Sequence, residues 1–127
     1  MQTVRCGRSY LIVSYSGVEH DGLGRYGDPL NPEGDLAAMH EMRLLLRSGG
    51  LLLLGIPISA HDQLMFPDAR IYGPKRLKRL LVGFTLIGRT WNGRLVQGGL
   101  DMAPSIWRTG TGHWDYQPLL VLRRDDA

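Results

Sequence analysis

Two apolar runs near the start of the chain enclose an amphipathic segment. Residues 10–16 (Tyr10 to Ser16) and residues 51–57 are almost continuously apolar, and each is interpreted as a strand buried on both faces. Residues 34–47 carry apolar side chains at helical spacing, with a predicted buried arc of Ala38, Met39, Met42, Leu45 and Leu46. Residues 48–50 are predicted to end this helix. Strand, helix and strand predict one βαβ unit with parallel strands and a right-handed crossover.

The second half of the chain predicts two more strands and one helix. Residues 84–91 and 117–123 are interpreted as strands, the latter antiparallel to its neighbours. Pro74 suits the first turn of a helix over residues 74–82, which would turn three leucines inward: Leu77, Leu80 and Leu81. Asn92 and Gly93 indicate a turn, and residues 98–115 an irregular segment. The expected fold is an open α/β sheet of about four strands in a single domain.

The loops that follow the two parallel strands are the predicted site. Ligands of parallel sheets bind beyond the carboxyl ends of the strands, which here means residues 16–28 and 58–72. The loop over residues 17–33 is long for so small a domain, and such loops are usually functional or disordered. The candidate substrate-binding residues are Glu19, His20, Asp21, Arg25, Tyr26, Asp28, Arg70 and Tyr72.

Each candidate has a chemical and a structural interpretation. His20 lies between two carboxylates, so it is a weak candidate for a general base, or else a hydrogen-bonded anchor of its loop. Arg70 is suited to clamp a carboxylate or phosphate, or else forms a surface ion pair. Arg25 and its neighbours fit either a ligand site or turn chemistry around the glycines. Asp35, near the helix start, is expected to cap the helix or to favour its positive end.

The segment from Ser14 to Pro57 resembles the post-strand motif, helix and following strand of class I S-adenosylmethionine-dependent methyltransferases. It is more similar still to a methyltransferase-like family of unknown function, DUF268. Members share a loop like EHDGLGRYGDPLNP (residues 19–32) and a later RIYGP (residues 70–74). The resemblance implies a Rossmann-like, mostly parallel methyltransferase fold, with S-adenosylmethionine as cofactor and an unknown small-molecule acceptor beside the 19–28 loop.

The cofactor-binding part of that fold has no counterpart in these residues. The family fold opens with a strand, a glycine-rich turn and an acidic residue for the ribose, whereas nine residues precede the first strand here. Gly22, Gly24 and Gly27 spell G-x-G-x-x-G, but no helix follows directly, so a nucleotide loop is rejected. Residues 1–127 are therefore expected to form a partial, C-terminal half of the domain, which binds S-adenosylmethionine weakly or not at all.

Composition excludes some classes of function. The single cysteine, Cys6, excludes an internal disulfide, and the four histidines show no metal-ligand spacing. No apolar run is long enough for a membrane span and no secretory signal is evident, so a cytoplasmic location is expected. The net charge is +3, with a local cluster of Arg70, Lys75, Arg76, Lys78 and Arg79. The cluster is either a solvated helix face or an anionic-ligand patch. Nucleic acid is disfavoured because no aromatic residues interleave it.

Two functions stay open. The first is a methyltransferase-like enzyme, inactive as this chain alone. The second is a non-catalytic α/β remnant or interaction module. In the intact fold, strands of the cofactor half flank the strand over residues 10–16, so Leu11, Ile12 and Val13 are expected to be poorly covered. Bare apolar edges recruit other strands, which predicts self-association, a complementary chain or aggregation through this edge.

Overall fold

The computed structural model describes residues 7–59, 61–91, 94–97 and 117–126. Seven strands, two α-helices and one short 3₁₀ helix lie in these ranges. In chain order they are β1 (Ser9–Tyr15), the 3₁₀ helix (Val18–His20), α1 (Gly34–Leu45), β2 (Leu46–Gly55), β3 (Gln63–Met65), β4 (Ala69–Ile71), α2 (Pro74–Leu80), β5 (Phe84–Trp91), β6 (Arg94–Gln97) and β7 (Leu119–Arg124).

The main sheet has five strands in the order β1-β2-β7-β5-β6. Strands β1 and β2 are parallel, as predicted, and β7 runs antiparallel to both β2 and β5, also as predicted. The expectation of a mostly parallel sheet is wrong, because β1 with β2 is the one parallel pairing among these five strands. The sheet is mixed, and the α/β class is confirmed. The handedness of the crossover stays a prediction.

Helix α1 passes directly into β2. The helix ends at Leu45, two residues earlier than predicted, and the expected stop at residues 48–50 belongs to the strand. The register changes from Ser9 opposite Leu46 to Leu11 opposite Leu51, so β2 carries three extra residues there. Gly49, at φ 76°, supplies the left-handed backbone that such an irregularity needs.

Arg124 closes the C-terminal end of α1. Its guanidinium donates to the carbonyl of Arg43 at 2.8 Å and also to the carbonyl of Leu46. The last carbonyls of a helix have no partner within the helix, so a cation from another element stabilises them. The side chain is 7% exposed. This contact joins the C-terminal end of α1 to β7, a strand about eighty residues away.

The core lies between one face of the sheet and the two helices. Leucines of β2 and β7 on this face are fully buried, and the helices add Met39, Leu77 and Leu80. Ala38 and Met42 pack against this core as predicted, but Leu45 is 58% exposed because the helix ends there. The α2 prediction is confirmed, although the helix ends at Leu80, two residues earlier than predicted, and β5 has its predicted bounds.

The opposite face of the sheet is apolar and open at β1. Leu11, Val13 and Tyr15 are 54%, 62% and 62% exposed, while Ile12 packs against the core. Low coverage is therefore confirmed for Leu11 and Val13 and wrong for Ile12, which points to the helices. The predicted turn at residues 92–93 and the irregular segment 98–115 lie outside the described residues. Within the described ranges, no helix is long and apolar enough to cross a membrane.

Candidate functional site

Arg70 is a buried cross-link between the two loops of the predicted site. It lies on β4, in a two-stranded sheet with β3 that the sequence did not predict. The side chain is 7% exposed, and its guanidinium donates to the carbonyls of Asp21 at 2.6 Å and of Asn31 and Pro32 at 3.3 Å. The donors of Arg70 hold the loop before α1, and its ion pair with Asp35 is buried rather than at the surface as expected. Its predicted role as a clamp for a ligand carboxylate or phosphate stays a prediction.

A buried carboxylate organises this region. Asp35 is 0% exposed and accepts hydrogen bonds from the Tyr72 hydroxyl at 2.9 Å and from Arg76 at 2.5 and 3.1 Å. Arg70 Nε lies 3.6 Å from the same carboxylate. We call Asp35, Arg70, Tyr72 and Arg76 the Asp35 cluster. Asp35 also accepts the backbone N–H of Leu36, so it supports the helix start as expected, although the N-cap residue itself is Glu33.

Two members of the Asp35 cluster, Tyr72 and Arg76, have raised pKa values. Burial, with the carboxylate of Asp35 beside it, raises the pKa of Tyr72 far above its ordinary value of 10.0. The hydrogen bond to Asp35 raises the pKa of Arg76. Tyr72 is therefore a permanent donor, and Arg76 stays charged. Since Tyr72 is 0% exposed, the substrate-binding role predicted for it stays an untested prediction, while its observed role is internal.

Glu19 and His20 lie in the 3₁₀ helix that follows β1. Glu19 is 0% exposed, and one carboxylate oxygen accepts from the amide of Gln117 at 3.4 Å. The other oxygen has no hydrogen-bond partner among the residues described, and burial raises the pKa of this carboxyl. His20 Nδ1 contacts the carbonyl of Asp68, and its ring meets Tyr26 edge-on at 6.0 Å. These contacts favour the loop-anchor interpretation of His20.

The remaining candidates shape the loop itself. Arg25 lies 3.6 Å from the carboxylate of Asp68 and 5.3 Å from the ring centre of Tyr26. Asp28 accepts the N–H of Gly22 at 2.7 Å, which closes a turn. The side chain of Asp21 is exposed, and partial burial of its carboxyl raises its pKa. The structure thus brings the predicted residues together, and their visible contacts are those of turn chemistry.

A cleft opens on the other side of the Asp35 cluster. It has a volume of about 470 Å³ and lies between the loop before α1, the β3–β4 pair and helix α2. We call it the α2 cleft. Its lining consists of Leu23, Pro32, Asp62, Gln63, Leu64, Arg70, Ile71, Lys75, Arg76 and Arg79. It therefore combines apolar side chains with four cations and one carboxylate.

The charges that line the α2 cleft are unequally compensated. Arg70 and Arg76 are paired with Asp35, and Arg79 lies 3.1 Å from the carboxylate of Glu33. The carboxylate at the cleft, Asp62, accepts the N–H groups of Gly73 at 2.7 Å and of Arg76 at 3.0 Å, and so holds the start of α2. Among the described residues Lys75 has no hydrogen bond or ion pair, so it is the uncompensated cation of this cleft.

The described residues do not fit S-adenosylmethionine. Two glycines of this connection are closed by their own loop: a Cβ at Gly22 would lie 2.2 Å from the carbonyl oxygen of Asn31, and one at Gly34 would lie 2.7 Å from that of Asp21. A Cβ at Gly27 would meet nothing within 4 Å, but no helix begins there. Both carboxylates at the start of α1, those of Glu33 and Asp35, are tied to arginines. No cradle for a nucleoside opens at this strand–helix connection.

Among the described residues no three or more His, Cys, Asp or Glu side chains come close enough to hold a metal ion. A family model described as "Caenorhabditis protein of unknown function, DUF268" matches residues 6–124. The chain belongs to the DUF268 family. No curated protein matches it significantly. Because the function of the DUF268 family is unknown, the activity of this chain has to be inferred from its site.

Two important residues of the DUF268 site escaped sequence reasoning. Asp35 was interpreted only as a helix-end residue, although it shares the buried arc of α1 with Met39 and Met42 at helical spacing. A carboxylate on an apolar arc signals a buried partner, and the arginines at 70 and 76 could have supplied it. Asp62 gave no comparable signal, because its helix-capping contact joins separate segments of chain.

Proposed function

We propose that this DUF268 chain binds a small anionic molecule with an apolar body in the α2 cleft, as the acceptor-binding part of a methyltransferase-like domain. The observation that carries the proposal is Lys75, the uncompensated cation among the described residues of a cleft that also has an apolar wall. A volume of about 470 Å³ lies within the range of small-molecule sites. Leu23, Leu64 and Ile71 supply the apolar wall, and Lys75 with Arg79 would meet the negative group.

Preorganisation supports the same function. The Asp35 cluster joins the three walls of the cleft, because Arg70 holds the loop at Asn31 and Pro32 while Arg76 holds α2. A cleft whose walls are fixed in advance loses little conformational freedom when a ligand binds. Arg70 and Arg76 thus act by positioning the walls, and Lys75 is left to bind.

Methyl transfer is the reaction that the resemblance implies for such an acceptor. The described residues do not fit the cofactor, so the transfer would need cofactor-binding residues from elsewhere, and we assign no catalytic step. Acceptor binding does not depend on them and is tested first. The alternative function, an interaction module, is favoured by a different observation, the exposed apolar side chains of β1.

Binding of phenyl phosphate, followed by amide NMR titration, tests the proposal. Benzyl alcohol and inorganic phosphate separate the apolar contribution from the charge. We expect phenyl phosphate to bind best and to shift amides of β3 and the first turn of α2. Lys75→Ala should weaken binding about tenfold, since a charge-assisted contact contributes about 1.5 kcal/mol.

Lys78→Ala is the matched control, because Lys78 is an exposed lysine of the same helix that does not line the cleft. Its variant should bind phenyl phosphate like the wild type. Equal losses in both variants would mean that only net charge matters. Equal affinity of Lys75→Ala and wild type would refute the site, as would the absence of any shift at millimolar phenyl phosphate.

A further inference from the structure

We propose that β1 is a homodimer edge: two copies of this chain pair their β1 strands antiparallel and form one continuous sheet. This inference is independent of ligand binding in the α2 cleft. Strand β1 pairs with β2 on one side, and no described strand lies on its other side. A strand with one free side presents a row of unpaired N–H and C=O groups that another strand can bind.

The two edges of the sheet differ in how they are protected. Strand β6, at the far edge, has four residues and begins with exposed Arg94; short length and charge both discourage pairing. Strand β1 has seven residues, Ser-Tyr-Leu-Ile-Val-Ser-Tyr, with no charge, proline or glycine. None of the usual protective devices is present in β1, so it is the edge on which a second strand is expected to add.

The hydrogen-bonding direction of β1 is known from its last contact. The N–H of Ser16 donates to the carbonyl of Gly55 in β2 at 3.0 Å. Because successive N–H groups along a strand point to opposite sides, the even-numbered residues face β2 and the odd-numbered ones face the open edge. Leu11, Val13 and Tyr15 therefore carry the free donors and acceptors.

A second copy satisfies this edge without any other partner. Antiparallel overlap of all seven residues places the two-fold axis at Ile12 and sets Leu11 of one copy opposite Val13 of the other. Both lie on the exposed apolar face, so the same pairing covers them. The axis also keeps the two Arg8 side chains at opposite ends of the ribbon, which avoids repulsion between like charges. Because β1 carries no charge, two copies of it can pair without electrostatic repulsion, and the dimer needs no second kind of chain.

Sedimentation velocity over a concentration series tests the dimer. A strand pair buries less than a standard interface, so we expect a dissociation constant on the order of 10 µM. Val13→Lys should make the chain monomeric, because a charge at an edge opposes strand addition. Val82→Lys is the control, because both valines are exposed, Val82 at 74% and Val13 at 62%, but Val82 lies after α2 and outside β1. This variant should dimerise like the wild type.

Hydrogen exchange along β1 distinguishes strand pairing from other contacts. Amides of Ile12 and Ser14 should be protected at all concentrations, because they face β2. Amides of Leu11 and Val13 should gain protection only as the dimer forms, and Val13→Lys should abolish that gain. A wild-type monomer at about 300 µM, thirty times the expected constant, overturns the proposal. So does a dimer that survives Val13→Lys, or one whose odd-numbered amides stay unprotected.

Discussion

Removal of the Asp35 carboxylate should be among the most damaging single changes in this domain. Asp35→Ala leaves the Tyr72 hydroxyl without its acceptor and deprives Arg70 and Arg76 of their shared anion. The two arginines differ in what happens next. The side chain of Arg76 is 20% exposed and can be partly rehydrated, whereas that of Arg70 is 7% exposed and stays buried with its charge uncompensated.

The expected loss of stability depends mainly on Arg70, because its charge stays buried when Asp35 is removed. Breaking a buried ion pair by removing one partner costs about 3–5 kcal/mol, because the other charge is left without compensation. Arg70 keeps its three bonds to carbonyls, so we expect Asp35→Ala to lower the free energy of unfolding by about 3 kcal/mol, near the lower end. Tyr72→Phe removes only a hydrogen bond to a charged group and should cost about 1.5–3 kcal/mol.

Urea unfolding followed by circular dichroism measures both changes. In the Asp35→Ala background, Tyr72→Phe should cost little, which gives a coupling energy of at least about 1 kcal/mol in the double-mutant cycle. Glu41→Ala, an exposed carboxylate on the same helix, should stay within about 0.5 kcal/mol of wild type. A loss below about 1 kcal/mol for Asp35→Ala, or additive changes in the cycle, would refute the reasoning. If Asp35→Ala does not fold, Tyr72→Phe alone still tests it.

Three further predictions concern the loops. Burial raises the pKa of Glu19, so the folded protein loses stability as this carboxyl ionises at pH values above its ordinary pKa of 4.5. In thermal melts, the melting temperature of Glu19→Gln relative to wild type should therefore increase from pH 4 to pH 8. A difference in melting temperature that does not change with pH would contradict this. Gly22→Ala should destabilise more than Gly27→Ala in urea, because both have φ 79° but only the former meets a carbonyl at 2.2 Å; equal losses would exclude that contact as the cause. Asp62→Ala should lower the free energy of unfolding by about 1 kcal/mol, the usual contribution of a helix cap. It should also speed hydrogen exchange of the Gly73 and Arg76 amides. Unchanged exchange would contradict the capping contact.

Local pattern was enough for much of the fold. The apolar run at residues 10–16 and its partner in β2 pair in parallel as predicted. The prediction that both strands are buried on two faces is wrong for β1, because no described element covers the face that carries Leu11, Val13 and Tyr15. Strand β5 and helix α2 were also predictable, since β-branched residues and an N-terminal proline are local signals. Strand β7 was predictable for the same reason.

The features that sequence analysis did not predict depend on contacts between segments that are distant in the chain. The placement of β7 between β2 and β5 makes the sheet mixed, and no local pattern records which strands become neighbours. The last carbonyls of α1 are bound by Arg124, a residue about eighty positions further along the chain, which no local pattern predicts. The roles predicted for the site residues stay predictions, and the three carbonyl acceptors of Arg70 could not be predicted because they lie in another loop.

The position of β7 has a consequence for synthesis on the ribosome. Among the described elements β7 comes last in chain order, yet it is the strand that joins β2 to β5. The β1–β2 pair and the β5–β6 pair can each form as translation proceeds, but they cannot become one sheet until residues 119–124 have emerged. Pairings of such large sequence separation form slowly. The five-stranded sheet therefore closes only after β7 has emerged, and a chain that stops before β7 keeps two separate strand pairs.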